Sequence, residues 1–436
     1  MGLYRTKIAE GSHYNHLATD RFKTGYFSVN FILPLKRDTV PYYALLPRVL
    51  RCGCQSFPNR RAIVRRLEEL YGGDIYIRHY GRGDKQIVSF SADFIDNAFL
   101  PPNETIDVMG QTVSLLKDLM LAPATQNGLF LQEYVENERK NCADAVRSIV
   151  NNKQQYAVHR CTSLMCSQET IGIPILGEVE DFDHIDPHRL VALYTTMLKS
   201  AQIEVFYVGA EPQERVQSIA TTILTGIERN YMTNIHATLP LRRATEEHSY
   251  EEEIAAKQGK LVLGFRTGVL MQDKEQLLYA LFNEVYGGSP SSKLFINVRE
   301  KKSLCYSCFA SSDLLKGIMY VVAGIENEQK DTAIAEIRLQ LEQIRRGAIT
   351  EGELCCAKQS LANGYRSLYD SAEGLEAWYM RRILGNCILA PEEAAEQVMM
   401  FGVQDLAVIA QGISLDTIYF LRGTQTGDEE DEEFDE

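Results

Sequence analysis

One run, beginning at Leu261, constrains the fold more than any other part of the chain. It reads LVLGFRTGV, then EQLLYALFNEVYGG, then SPSSKLFINVREKKSLCYSCFA, then GIMYVVAGI. The first and last pieces are short, apolar and bounded by glycine and charge, which predicts strands. The second carries Leu277, Leu278, Leu281 and Val285 at helical spacing and stops at Gly287-Gly288. The third predicts a basic helical turn over Val298 to Lys302 that runs into a strand through Tyr306.

The first half repeats this plan. YFSVNFILPL, PYYALLPRVLRCG and RRAIVRRLEELYGGDIYI stand in the same order as a strand, a helix and a helix stopped by Gly72-Gly73. Pro47 inside the first of these helices should kink or break it, because proline has no N–H to donate. Residues 1–20 predict an opening strand and a polar connection. Further on, the periodicity predicts helices over 105–121 and 130–166, a buried strand over Ile203–Gly209 and a helix through 213–229. Residues 230–258 are polar and without period, which predicts a linker. Residues 428–436, DEEDEEFDE, have nothing to bury and predict a disordered acidic tail. The expected organisation is α+β: one domain over 1–229, the linker over 230–258, a second, similar domain over 259–427, and the tail.

Charge and cysteine usage narrow the function. Lys and Arg number 45 against 59 Asp and Glu, a formal charge of −14. That is a poor footprint for nucleic acid, whose phosphates need a basic surface. No window approaches the roughly 18 uninterrupted apolar residues of a membrane-spanning helix, and the opening residues have no secretory apolar run. The ten cysteines are irregularly spaced. These features predict a cytoplasmic protein with reduced thiols, away from membrane and nucleic acid. Met1-Gly2 with Thr6 fits a myristoylation pattern of too few fixed positions to carry weight.

The duplicated plan, with Gly287-Gly288, Ser291-Ser292-Lys293-Leu294-Phe295 and Arg299-Glu300-Lys301-Lys302-Ser303-Leu304-Cys305-Tyr306, resembles the pitrilysin/insulinase family of inverted-zincin metallopeptidases. The resemblance implies two mixed or antiparallel sheets with helices packed on one face, together forming half of a clam-shell. It also implies roles for Arg299 and Tyr306: the guanidinium holds a substrate carbonyl and the phenol donates to the scissile one. Both groups suit charge developing on oxygen.

The departure from the family is as informative. Its peptidases carry H-x-x-E-H on the first helix, two zinc-binding histidines and a general base. Anchored on Gly53, the equivalent residues are Ala44-Leu45-Leu46-Pro47-Arg48. The third ligand position, seven residues beyond Glu138, is Ala145. Alanine and proline have no donor atom and Arg48 is a cation, so no zinc is expected here. The resemblance implies a subunit that binds a peptide or unfolded polypeptide beside a homologous zinc-containing subunit, as a heterodimer, or as a homodimer. Zinc would sit only in that partner. A non-proteolytic accessory role, such as supporting modification of a translation elongation factor, is the alternative it allows.

Other constellations are weaker. His13 with His16 and His184 with His188 read as solvated loop histidines. Cys52-Gly-Cys54 and Cys305-Tyr-Ser-Cys308 read as buried thiols, the second pair on opposite faces of a strand. Arg60, Arg61, Arg65 and Arg66 read as a solvated or partner-facing helix face. Neither a G-x-S-x-G motif nor a cysteine-triad motif occurs.

Overall fold

A computed structural model describes residues 2–101, 103–231 and 240–424. The acidic block at 428–436 and residues 232–239 of the expected linker lie outside the described residues. The chain forms two compact units. The first takes Met1–Ser148, Gln168–Leu239 and Tyr365–Glu393; the second takes Ile149–Ser167, Pro240–Gly364 and Ala394–Glu436.

In the first unit a six-stranded sheet is built from β1 (Tyr4–Ala9), β2 (Ser12–Ala18), β3 (Thr24–Pro34), β4 (Asp74–Arg82), β5 (Lys85–Ile95) and β6 (Gln202–Gly209). Its order is β1-β2-β6-β3-β5-β4. Residues 12–18, read as a polar connection, are therefore a strand, paired in parallel with β6 and antiparallel with β1. Polar side chains on β2 did not exclude a strand, because neighbours bury several of them.

The second unit holds a five-stranded sheet of β7 (His248–Ile254), β8 (Gly259–Arg266), β9 (Ser307–Asp313), β10 (Ile318–Ile325) and β11 (Ser414–Gly423), in the order β7-β11-β8-β10-β9. Numbered from β2 and from β7, both sheets have the order 1-5-2-4-3, with the first and fifth strands parallel. The duplication read in the sequence thus holds at the level of topology. Residues 248–254, placed in the linker, form β7 instead. Its residues HSYEEEI are mostly exposed, as an edge strand permits, so it shows no apolar period.

In both sheets the second strand divides its two faces by alternation. On β3, Phe27, Val29 and Phe31 enter a large apolar core with α1 (Val40–Leu50) and other helices of the unit. Ser28 and Asn30 face the other way, towards Glu376 of a helix over Ala372–Leu384. On β8, Leu261, Leu263 and Phe265 enter the second core, while Gly264 and Arg266 meet a helix over Lys153–Met165. A Cβ at Gly264 would lie 2.5 Å from the Met165 sulfur, so this glycine permits close approach of helix to strand. Each unit therefore takes one covering helix from the other half of the sequence, which a division at 1–229 and 259–427 does not anticipate.

Candidate functional site

The first candidate region lies where α1, α2 (Arg60–Glu69), β4 and α3 (Gln132–Ser148) converge in the first unit. Pro41 stands in the first turn of α1, where an N–H would have no helical partner and its loss costs nothing. Pro47 does not break the helix, which continues to Leu50. All but Arg48 of its residues are buried, so packing outweighs the one lost backbone bond. A Cβ on Gly53 would come within 2.5 Å of the Pro58 carbonyl oxygen, which ties the turn between the helices to glycine. Asn59 then caps α2 by accepting from the Ala62 N–H at 3.0 Å.

These elements enclose a cavity of about 520 Å³ lined by Ala44, Pro47 and Arg48 of α1, Arg51, Arg60, Arg78, His79, Tyr80, Glu138 and Asn141, among others. The structure thus brings together Ala44, Pro47 and Arg48, and leaves Ala145 outside the lining, half-buried on α3. Glu138, only 5% exposed, takes part instead. Its carboxylate accepts from Arg60 at 2.5 Å and from Asn141 at 3.1 Å. Val135, Glu138 and Cys142 fall on the buried side of α3 at three- and four-residue spacing, and that spacing is the sequence signal for Glu138. His79 pairs through Nε2 with Gln86 Oε1 at 3.0 Å, and burial pulls its pKa down to about 4, so it is neutral near pH 7.

A zinc ion does not fit this lining. Ala44 and Pro47 offer no donor, Arg48 repels a cation, and the single carboxylate is engaged by Arg60. Among the described residues no group of three or more His, Cys, Asp or Glu is arranged to hold a metal ion.

The second candidate region carries Arg299 and Tyr306. The helix Gln276–Asn283 continues as a π-helical turn over Glu284–Gly288. A Cβ on Gly287 would lie 2.8 Å from Ala310 of β9 and from Leu294, so the Gly-Gly packs the turn onto the sheet. Leu294–Lys301 is also π-helical and buries Leu294 and Val298. It presents Arg299, 40% exposed in its side chain, stacked 4.5 Å over the Phe295 ring. The chain turns at Ser303, at φ +49°, and the Tyr306 N–H donates to Gly324 O at 2.9 Å. Tyr306 immediately precedes β9 rather than lying within a strand. Its ring is 58% exposed, and its hydroxyl donates to Glu326 Oε1 at 2.9 Å, which raises its pKa.

Cys305 and Cys308 differ from expectation. Cys305 also precedes β9, so alternation does not separate the thiols, and both are buried in the second core. Their mutual hydrogen bond lowers the pKa of Cys305 and raises that of Cys308. His13 and His16 are likewise not loop residues. They lie on β2, where His13 sits 3.5 Å from the buried Glu204 and His16 Nδ1 lies 2.6 Å from the Tyr14 hydroxyl. His184 ends a 3₁₀ turn and His188 lies exposed in the first turn of the following helix. Arg65 and Arg66 pair with Glu69 along α2, whereas Arg60 turns to Glu138.

Residues 184–361 match the family profile described as the peptidase M16 inactive domain; M16 is the pitrilysin/insulinase family. A Bacillus subtilis (strain 168) protein described as a probable inactive metalloprotease, YmfF, is 28% identical over 409 residues, covering 93% of this chain and 95% of that one. The chain is thus similar to an M16 inactive domain over residues 184–361 and to YmfF over most of its length. The crystal structure of a conserved protein from Enterococcus faecalis V583 superposes with a TM-score of 0.88 at 27% identity, over 98% of this chain and 100% of that one. The crystal structure of a peptidase M16 inactive domain from Pseudomonas fluorescens gives 0.77 at 15% identity, over 98% and 100%, and attests the M16 fold alone. Among the described residues no helix is long and apolar enough to cross a membrane.

Proposed function

We propose that this chain, as an M16 homologue, binds peptide or unfolded polypeptide beside a homologous subunit that carries zinc on an intact H-x-x-E-H helix. Arg299 and Tyr306 would be its contribution, orienting backbone carbonyls while the partner supplies the metal-bound water. The reading is carried by the exposure of Tyr306: a large aromatic side chain, 58% exposed, serves no core and keeps its hydroxyl on one carboxylate. A phenol so placed is a donor available to a carbonyl, and the guanidinium of Arg299 is a second, always charged, donor. The side chains at the motif positions, Ala44, Pro47 and Arg48, carry no zinc donor, which supports a dependent rather than a self-sufficient chain. Mixing the chain with an H-x-x-E-H homologue and following cleavage of a quenched peptide tests this. Cleavage should require both chains and should fall with Tyr306→Phe.

A further inference from the structure

The cavity that lacks metal ligands is strongly cationic. Arg48, Arg51, Arg60 and Arg78 line it against one carboxylate, Glu138, in a chain whose formal charge is −14. Arg60 is satisfied by Glu138, and Arg78 pairs with Glu373. Arg48 and Arg51 form no guanidinium hydrogen bond or ion pair with any described residue. They occupy the last turn and the C-cap of α1, where a helix dipole favours cations. The dipole does not account for Arg60 and Arg78 converging on the same space from α2 and β4. Ala44, Pro47, Ile77 and Leu176 give the cavity an apolar wall as well.

We propose that this cavity binds the C-terminal carboxylate of a peptide, with Arg48 and Arg51 as the anion-holding pair. An arginine fork matches a carboxylate in plane and in spacing, and within the same lining Arg60 already holds a carboxylate, Glu138, through one hydrogen bond at 2.5 Å. Arg48 and Arg51 stand three residues apart at the end of α1, a spacing at which like charges disfavour one another, and an incoming carboxylate offsets that. The apolar wall suits a ligand with an apolar group next to its charge, which a terminal leucine or similar residue has and an inorganic anion lacks. Replacement of the metal-motif residues by Ala44, Pro47 and Arg48, with Arg51 beside them, would thus have turned a site for the scissile bond into a site for a chain end. All the lining residues belong to the first unit, so this inference stands apart from the roles given to Arg299 and Tyr306.

Calorimetric titration of the full chain tests it without any zinc-bearing partner. The probes are an N-acetylated tripeptide ending in leucine, as the free acid and as the C-terminal amide, and inorganic phosphate. The free acid should bind at least about tenfold more tightly than either other probe, the scale of a lost charge-assisted hydrogen bond. The Arg48→Gln/Arg51→Gln double variant should lose that preference while keeping the thermal midpoint of the parent. Arg48→Lys should retain part of the preference. Equal affinity for acid and amide, tighter binding of phosphate than of the free acid, or a preference that survives the double substitution would overturn the assignment. The acid–amide comparison on the unsubstituted chain decides the matter even if a variant fails to fold.

Discussion

Glu376 accepts a hydrogen bond from Asn30 at 2.7 Å, across 346 residues of chain. Tyr26 and Ser28 donate to the same carboxylate, and all three donors lie on one face of β3. A helix from the second half of the sequence is thereby fastened to the sheet of the first unit. Removing the carboxylate takes this acceptor from the buried Tyr26 and Ser28 hydroxyls, while Asn30 still donates to Ser28 Oγ at 2.9 Å and to the Glu204 carbonyl at 3.2 Å. Glu376→Ala should therefore cost roughly 3 kcal/mol, at about 1–3 kcal/mol for a buried group left unsatisfied, read as a lower urea midpoint. Conservation of the midpoint would mean that water replaces the carboxylate.

The same residue sets a pH dependence. Burial raises the pKa of Glu376 above its usual 4.5, against the lowering effect of the Ser28, Tyr26 and Asn30 bonds. The folded state therefore holds this proton more tightly than the unfolded state. The associated stability is fully present below pH 4.5 and is lost as pH rises through the folded pKa. The stability of the parent relative to Glu376→Ala should shrink on going from about pH 5 to about pH 8, by equilibrium unfolding in urea.

Glu204 should behave in the opposite sense. Burial pushes its pKa up, but the bond from His13, the charge of Arg5 and the bonds from Asn15 and Gln202 outweigh burial and lower it. Its contribution is present above pH 4.5 and is lost as pH falls through the folded pKa. Glu204→Gln should be less stable than the parent at neutral pH and should lose less stability on acidification. Parallel pH profiles of the two proteins would contradict this.

In the second unit Arg266 is 1% exposed, donates to Asp416 at 2.8 Å and reaches the Met165 carbonyl at 3.0 Å. Arg266→Ala would strand a buried carboxylate and release the helix Lys153–Met165. A loss of about 3–5 kcal/mol is expected for breaking a buried pair from one side. The double variant Arg266→Met/Asp416→Leu should recover much of it, because neither charge is then left alone. Denaturant unfolding of the three proteins measures this.

The fold was legible where each half obeys its own period. The strands at Phe27–Phe31 and Leu261–Phe265 and the Gly287-Gly288 stop follow from alternation and from glycine chemistry. The exchange of covering helices was not legible, because it depends on pairs such as Glu376 with Asn30 and Met165 with Gly264, far apart in sequence. Edge strand β7 was hidden by exposed glutamates, and β2 by polar residues that its neighbours satisfy. The absence of zinc donors at Ala44, Pro47 and Arg48 could be read directly from residue type. The spacing of Val135, Glu138 and Cys142 marks one side of α3, but that this side and not Ala145 meets the cavity depends on how α3 is rotated.

That absence can be assayed. The purified chain, incubated with zinc and desalted, should hold well under one zinc per chain by elemental analysis. Stoichiometric retention, lost in a Glu138→Ala variant, would show that the lining coordinates metal after all.

The central claim is that this chain lends Arg299 and Tyr306 to a metal it does not hold. The most direct measurement is kcat/KM for peptide cleavage by a zinc-bearing H-x-x-E-H homologue, alone and with this chain added. Activity should appear only in the mixture and should fall about 100-fold with Tyr306→Phe, the effect of removing one donor from a developing oxyanion. Full activity of the zinc-bearing homologue alone, unchanged by this chain or by its Tyr306→Phe and Arg299→Ala variants, would contradict the account.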